Sequence, residues 1–488
     1  MMKNEKDPML GRALHAFLHR LMYRVDLPKK EKNLMKEDLL RLFSYYEAQG
    51  LSPAEIENRV GGDIFGSFYT RPSPALWYPL DSAAKIYPLA LTSRRMTKFR
   101  VSAYLKDPVE PCVLQVALLS TIKRFPVFAT NLRRGFFWHY LDALRCRFEV
   151  HEESRPPCSY LSQSRRRTPC FEVLYYKKRI ALEVFHVLTD GGGAMVFLKT
   201  LIAEYLRLLG VSPQYGADIL DVQSSPSLEE QEDSFLHVIS SKSKGGFMQP
   251  FAVQPGEKRR KERTGRVLQF IMPADALIRA AHKRDITVTG FLTACMFAAL
   301  YPAVAYAKPN EPLQIQVPIN LRSRYGRKSL RNFSLYAVLR LPYEKAVCMD
   351  DIFTAVREQL AIYTEKSFLD GMLASAVSMA HNPILRFVPL GLKNMICRKI
   401  YGILGEKTLS ATLSNIGVVH EDFGGKVEMF DAIIGTSWPT NFKCGLISYQ
   451  GKTVLSIASS LRNVCFEDSL YRILEKEGIK ALVEGTAI

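Results

Sequence analysis

The sequence has no apolar run as long as the roughly 18 residues that a membrane-spanning helix needs, so no spanning helix is expected. Its nine cysteines are odd in number, scattered and without a CxxC pair, which argues against a disulfide framework and against a zinc site. That usage suits a reducing compartment. The opening residues MMKNEKDPMLGR lack the apolar centre of a signal peptide, and a cytoplasmic location is expected. No HExxH helix or carboxylate cluster points to a metal, and none is expected. No GxGxxG follows a strand, and Gly191, Gly192 and Gly193 are not followed by Lys-Ser or Lys-Thr, which excludes a nucleotide hydrolase built on a phosphate-cradling loop. Carboxylates are the scarcer charge: 48 Asp and Glu stand against 66 Lys and Arg, a formal net charge of +18.

What is present is ample for folded domains. A chain of 488 residues, 47% hydrophobic and 23% charged, can bury two or three cores. Residues 1–66 read as a small separate helical bundle. Arg12 to Arg24 and Met35 to Gln49 have helical apolar spacing, and Ser52-Pro53 opens a third helix. His15 and His19 lie one turn apart there but lack further metal ligands nearby. Residues 76–210 read as a first lobe of strands and helices, and 211–266 as a polar, mobile linker containing SSPSLEEQEDS and EKRRKERTGR. Residues 267–488 read as a second lobe of similar type. The arginine tracts Arg145–Arg147 and Arg165–Arg167 read as solvated loops. Thr287 to Tyr306 is apolar on nearly all faces and predicts a buried helix. Leu385 to Leu404 mixes large apolar residues with Arg386, Lys393, Arg398 and Lys399. An interfacial membrane helix and an ordinary amphipathic helix at the lobe boundary both fit it, and the second is preferred.

The most informative stretch runs from Arg179 to Leu209. It opens as an alternating strand, with Ile180, Leu182, Val184 and His186 on one face and Ala181, Glu183 and Phe185 on the other. Thr189, Asp190 and the three glycines end the strand, and helical spacing then takes over through Phe197, Leu201, Tyr205 and Leu209. A histidine therefore stands at a strand end, with a carboxylate four residues on before a helix. By chemistry alone this also fits a buried strand histidine and a helix-capping aspartate.

His186 to Gly191 reads H-V-L-T-D-G, and it resembles the HxxxDG signature of the chloramphenicol acetyltransferase and condensation-domain superfamily of CoA-dependent acyltransferases. The surroundings look most like the bacterial alcohol-acetyltransferase-like branch. VPINLRSR (Val317 to Arg324), SNIG (Ser414 to Gly417) and CGLISYQGKTVLSIASS (Cys444 to Ser460) follow in the family's order. Where many members carry a first histidine, this chain has Phe185, and Asp422-Phe423-Gly424-Gly425 only partly echoes a DFGWG loop. The resemblance implies an α/β (α+β) fold of two such lobes with mixed sheets and an interlobe tunnel, the histidine at its midpoint.

It further implies acyl transfer from acyl-CoA, as a cosubstrate rather than a bound cofactor, to a hydroxyl or amine of a small acceptor. His186 is the expected general base, and Asp190 a structural partner of Arg322, with Arg324 as fallback. Gly191 is expected to allow the turn and close helix approach. Ser414 and Asn415 are the candidates for holding the oxyanion, and Arg324, Arg327 and Lys328 for the donor's phosphates. The basic balance adds peripheral contact with anionic lipid as an expected partner class. Nucleic acid is not expected, for no such module is present, and a monomer is. Two other readings stay open: a stand-alone condensation-type enzyme using a carrier-bound acyl group, and a silent lipid- or partner-binding protein on the same scaffold.

Overall fold

The computed structural model describes residues 11–70, 77–90, 97–159, 168–212, 216, 218–238, 251–254, 265–304, 311–382, 386–400, 408–435 and 442–485. Arg165–Arg167 and nearly all of EKRRKERTGR lie outside these residues. The architecture is mixed α/β, with two principal sheets. A five-stranded sheet runs in the order Val427–Ile434, Lys98–Leu105, Arg179–Phe185, Phe171–Tyr176, Val150–Glu152. A seven-stranded sheet runs Ser334–Leu341, Leu313–Asn320, Ala411–Val419, Phe442–Tyr449, Lys452–Ser459, Arg266–Pro273, Leu482–Gly485. A smaller three-stranded sheet joins Trp77–Pro79, His139–Ala143 and Thr130–Arg134. Both principal sheets mix parallel and antiparallel neighbours.

The hairpin that delivers His186 turns at Lys177-Lys178, where Lys177 takes a positive φ of 50°. Strand Arg179–Phe185 is buried on both faces. Ile180, Leu182 and Val184 join the core beneath helices Pro111–Ile122 and Gly191–Leu208. On the opposite face Glu183 is buried against Arg100 on the neighbouring strand, at 2.7 Å, and Arg100 reaches Glu153 at 2.6 Å. Such buried charges are tolerated only because each has a partner.

The division of the chain into successive units is crossed in three places. Strand Val427–Ile434 leaves the second half and pairs with Lys98–Leu105 in the first sheet. At the contact between the sheets, a Cβ on Gly445 would stand 2.0 Å from the Ala432 carbonyl oxygen, so only glycine lets them approach this closely. The N-terminal helices are not a separate bundle either. Leu14, Phe17, Leu39, Phe43 and Ile56 belong to the same apolar core as Val101, Leu118 and Leu182. Polar contacts fix the join: Tyr46 donates to the Leu208 carbonyl at 2.7 Å, and Arg207 to the Arg59 carbonyl at 2.6 Å. Arg147, expected in a solvated loop, is instead buried against Asp38 at 2.6 Å. The third crossing is the supposed linker. Its carboxylates find guanidinium partners: Arg124 grips Glu230 through two bonds of 2.6 and 2.8 Å, while Arg327 pairs with Glu229 and Glu232. Ser82 donates to Asp233 at 2.7 Å. In the described residues 218–238, polar composition means ion pairs to both lobes.

The second core gathers around helix Val288–Ala303, capped by the Thr287 hydroxyl on the Gly290 amide and buried along most of its length. The helix ends at Ala303, short of the expected Tyr306. No single helix among the described residues is long and apolar enough to cross a membrane.

Candidate active site

Strand Arg179–Phe185 ends where the His186 amide donates to the Thr97 carbonyl at 2.8 Å, and the chain turns at once, Leu188 bonding back to Phe185. Asp190 then caps helix Gly191–Leu208, its Oδ1 accepting from the Gly193 amide at 3.2 Å. The three glycines are thus the helix's first turn rather than a break before it, and none has a positive φ. Their reason is proximity. A Cβ on Gly191 would lie 2.5 Å from Ile416 Cδ1, on Gly192 2.8 Å from Arg322 Nη1, and on Gly193 2.3 Å from the Leu330 carbonyl oxygen. Ile416, Arg322 and Leu330 all belong to the second half of the chain, and Gly193 is also crowded from its own turn, its Cβ falling 2.1 Å from Thr189 Oγ1.

Asp190 is where that half is latched. Arg322 meets it end-on, Nη2 donating to Oδ1 at 2.8 Å and Nη1 to Oδ2 at 3.0 Å, and the Phe333 amide donates to Oδ2 at 2.9 Å. Burial alone would raise this carboxyl's pKa, but the Arg322 guanidinium and the Phe333 and Gly193 amides outweigh it and hold it below the usual carboxylate range. Arg322 also donates to the carbonyls of Ser329 and Arg331, so one guanidinium shapes the whole loop from Arg322 to Phe333.

That loop carries Asn332 onto His186. The imidazole Nδ1 lies 2.9 Å from Asn332 Oδ1. Asn332 Nδ2 donates to Asp81 Oδ2 at 3.0 Å and to the His186 carbonyl at 3.1 Å. An ionised carboxylate and a carbonyl can only accept, so both amide N–H bonds must face them and the amide oxygen must face the ring. Nδ1 then bears the proton, and Nε2 keeps its lone pair. Among the described residues, no protein group hydrogen-bonds Nε2. Tyr87 stacks on the ring with centroids 4.6 Å apart, and Phe99 tilts against it at 5.0 Å. Burial pushes the imidazole below its ordinary pKa, against the raising effect of Asp190, its own backbone and Asn332. Asp81, fully buried, is pushed up to about 6 by burial, with Arg331 opposing and Asp233 adding to the shift.

No family model matches the sequence, and no curated protein does at a significant level. Solved structures do match. The trichothecene 15-O-acetyltransferase TRI3 of Fusarium sporotrichioides is 14% identical, with a TM-score of 0.55, over 83% of this chain and 96% of that one. F. sporotrichioides TRI101, solved with coenzyme A and T-2, is 11% identical at a TM-score of 0.56 over 83% of this chain and all of that one, 100%. The starter condensation domain of rhizomide synthetase RzmA, solved with C8-CoA and Leu-SNAC, is 13% identical at 0.52 over 82% and 94%. The chain has the acyltransferase and condensation-domain fold.

Within this fold, His186 is the seam residue: its strand and its two aromatic neighbours come from the first sheet's side, and its hydrogen-bond partner from the second half. The other expected residues are placed less simply. SNIG lies in the middle of strand Ala411–Val419, not at a strand end, and a register shift falls between Asn415 and Gly417. Asn415 is drawn into that irregularity, donating to Thr289 at 2.9 Å and accepting from the Gly417 amide at 2.8 Å. Ser414 is half-buried, and neither residue hydrogen-bonds His186. Arg324 is exposed and donates to the Thr364 carbonyl at 3.1 Å, and Lys328 is exposed. Arg327 departs from expectation: its guanidinium is committed to Glu229 and Glu232, a lobe tie rather than an open phosphate site.

Asn332, Asp81 and Tyr87 were not singled out in the sequence. Asp81 stands 251 positions from Asn332, and no local motif marks either. The nearest signal was the basic run that ends at Arg331, directly before the asparagine.

Arg322→Ala should destabilise the protein by about 3–5 kcal/mol, because it strips a buried carboxylate of the cation that pairs with it. Urea unfolding measures this, and a loss under about 1 kcal/mol would deny the latch. Since Asp190's folded pKa is depressed, its contribution is present at neutral pH and fades as pH falls through the carboxylate range. Asn332→Leu should lower kcat by about tenfold to a hundredfold with little change in KM. In the wild type, kcat/KM should rise with pH to a plateau with an apparent half-point below the ordinary histidine value of 6.5, since the neutral ring is the competent form and buried Asp81, pushed up to about 6, ionises over the same range. A half-point above that value would contradict the assignment.

Proposed function

We propose that the protein transfers an acyl group from an acyl-CoA thioester to a hydroxyl acceptor, with His186 as general base. The observation that carries this is the Asp81–Asn332–His186 chain, which leaves Nε2 as the imidazole's free basic atom at the seam of the fold. In the reaction, Nε2 removes the acceptor's hydroxyl proton as its oxygen attacks the thioester carbonyl. The C–S bond then breaks, the carbonyl re-forms, and the departing thiolate takes the proton back from Nε2. No covalent enzyme intermediate is needed. The Nδ1 proton stays on the ring throughout, donated to Asn332 Oδ1, and the transient imidazolium is stabilised through Asn332 by the buried Asp81 carboxylate.

The fold supports the donor class. TRI3 is a 15-O-acetyltransferase, and TRI101 and the RzmA domain were solved with CoA compounds. Ser414 supplies a half-buried hydroxyl for the oxyanion, whereas Asn415 would first have to release Thr289. Lys443, from strand Phe442–Tyr449, is close enough to His186 for its charge to lower the ring's pKa slightly, and it adds positive potential for an anionic donor. Nine free thiols fit a cytoplasmic setting, with membrane association compatible with the basic surface.

Free thiol released from a panel of acyl-CoAs with small alcohols and amines tests the reading. His186→Ala should keep the fold and lose at least about a hundredfold in turnover. Near-normal turnover in that variant would dismiss the base. Activity confined to a carrier-protein thioester would favour the condensation-type alternative.

A further inference from the structure

The stretch Leu385 to Leu404 fits either an interfacial membrane helix or, as preferred, an ordinary amphipathic helix at the lobe boundary. Leu385 and 401–404 lie outside the described residues, and helix Leu390–Ile400 is inverted. Lys393 is buried, only 3% exposed, while Leu392, Met395 and Ile396 are 46%, 53% and 43% exposed. A helix facing water puts its lysine outward and its leucine inward. The inversion is held in place by the hairpin between Thr130–Arg134 and His139–Ala143. Lys393 Nζ sits 3.6 Å from the Trp138 ring centroid and donates to the Phe137 carbonyl at 2.9 Å, and the Leu390 amide donates to the Phe136 carbonyl at 2.9 Å. The hairpin tip adds its own apolar surface. Phe136 is 73% exposed, Phe137 packs between it and Phe387, and Phe387 is 71% exposed. Two segments distant in sequence therefore form one apolar face.

Its charge has one sign. No carboxylate occurs between Asp370 and Glu406, nor between Glu110 and Asp142. Arg134, Arg386 and Arg398 are exposed around the apolar residues, and the charges of Arg134 and Arg398 add to burial in pushing His139 down to about 4. A second copy docking through this patch by a two-fold axis would set like-charged rims against each other. An anionic bilayer suits both parts, accepting the apolar side chains among its acyl chains and the arginines at its headgroups.

We propose that this face is a docking surface for anionic membranes. Helix Leu390–Ile400 packs against helix Tyr87–Ala90, whose Tyr87 stacks on His186, so the membrane would lie one helix away from the candidate base. That position suits an acceptor or acyl chain held in lipid, a deepening that rests on the acyl-transfer reading. The docking itself does not, and it is tested without turnover.

Full-length protein should co-sediment with phosphatidylcholine vesicles containing phosphatidylglycerol at least about tenfold more strongly than with phosphatidylcholine alone, and lose that preference in high salt. Phe136→Ser with Phe387→Ser should reduce binding at least about tenfold, and Arg386→Ser with Arg398→Ser about fivefold per arginine. Both pairs are exposed, so thermal unfolding and thiol release from soluble substrates should stay at wild-type values. Absence of vesicle binding, or binding that neither pair alters, would overturn the proposal. So would a lipid-free dimer that the phenylalanine pair dissolves, which would assign the face to self-association.

Discussion

The fold closes on one ion pair. Asp190 caps the helix that follows His186 and, in the same act, receives Arg322 and the Phe333 amide from the other half of the chain. A carboxylate so buried is stable only while these donors stay in place, so the energetic demand of one charge fixes where a twelve-residue loop must run, from Arg322 to Phe333. Asn332 lies inside that loop. The latch thus does not touch the histidine's ring, yet it decides which group meets Nδ1. The three glycines belong to the same constraint, since each clears the space into which Ile416, Arg322 or Leu330 enters.

A second theme is that polar side chains join segments which chain order would keep apart. Arg147 with Asp38 fastens the N-terminal helices to the first core. Arg124 with Glu230, and Arg327 with Glu229 and Glu232, tie a connecting segment to both sides. Tyr104 and Gln269 meet on Asp431, a residue of the strand that crosses between sheets. These contacts are charge-assisted and largely shielded, so they set geometry as well as adding energy. Much of the positive charge in the sequence is consumed in this way. The exposed remainder around the Phe136–Phe387 face stands out because, among the described residues, no acid pairs with Arg134, Arg386 or Arg398.

Strand and helix identities along Arg179 to Leu209 were legible because a period of two gives way to helical spacing, whereas the pairing of Asp190 with Arg322 was implied by the family resemblance that two short motifs carry. Asp81 and Asn332 could not be read, because a relay between single polar residues far apart in the chain leaves no periodic or composite trace. Composition misled where partners decide the outcome. SSPSLEEQEDS looks solvated until Arg124 and Arg327 are brought to it. Helical spacing located the apolar faces of residues 1–66, yet it could not say that the first lobe covers them. For Leu390–Ile400 the residue types were plain, and which side faced inward was decided by Trp138, more than 250 positions away.

The central claim is that burial holds His186 neutral while Asn332, oriented by Asp81, keeps its proton on Nδ1 and leaves Nε2 free. Nitrogen-15 NMR of histidine-labelled protein at neutral pH, with the His186 signals assigned by their loss in His186→Asn, reads this directly. A protonated Nδ1 and an unprotonated Nε2 are predicted. A proton on Nε2, or an imidazolium at neutral pH, would contradict the account.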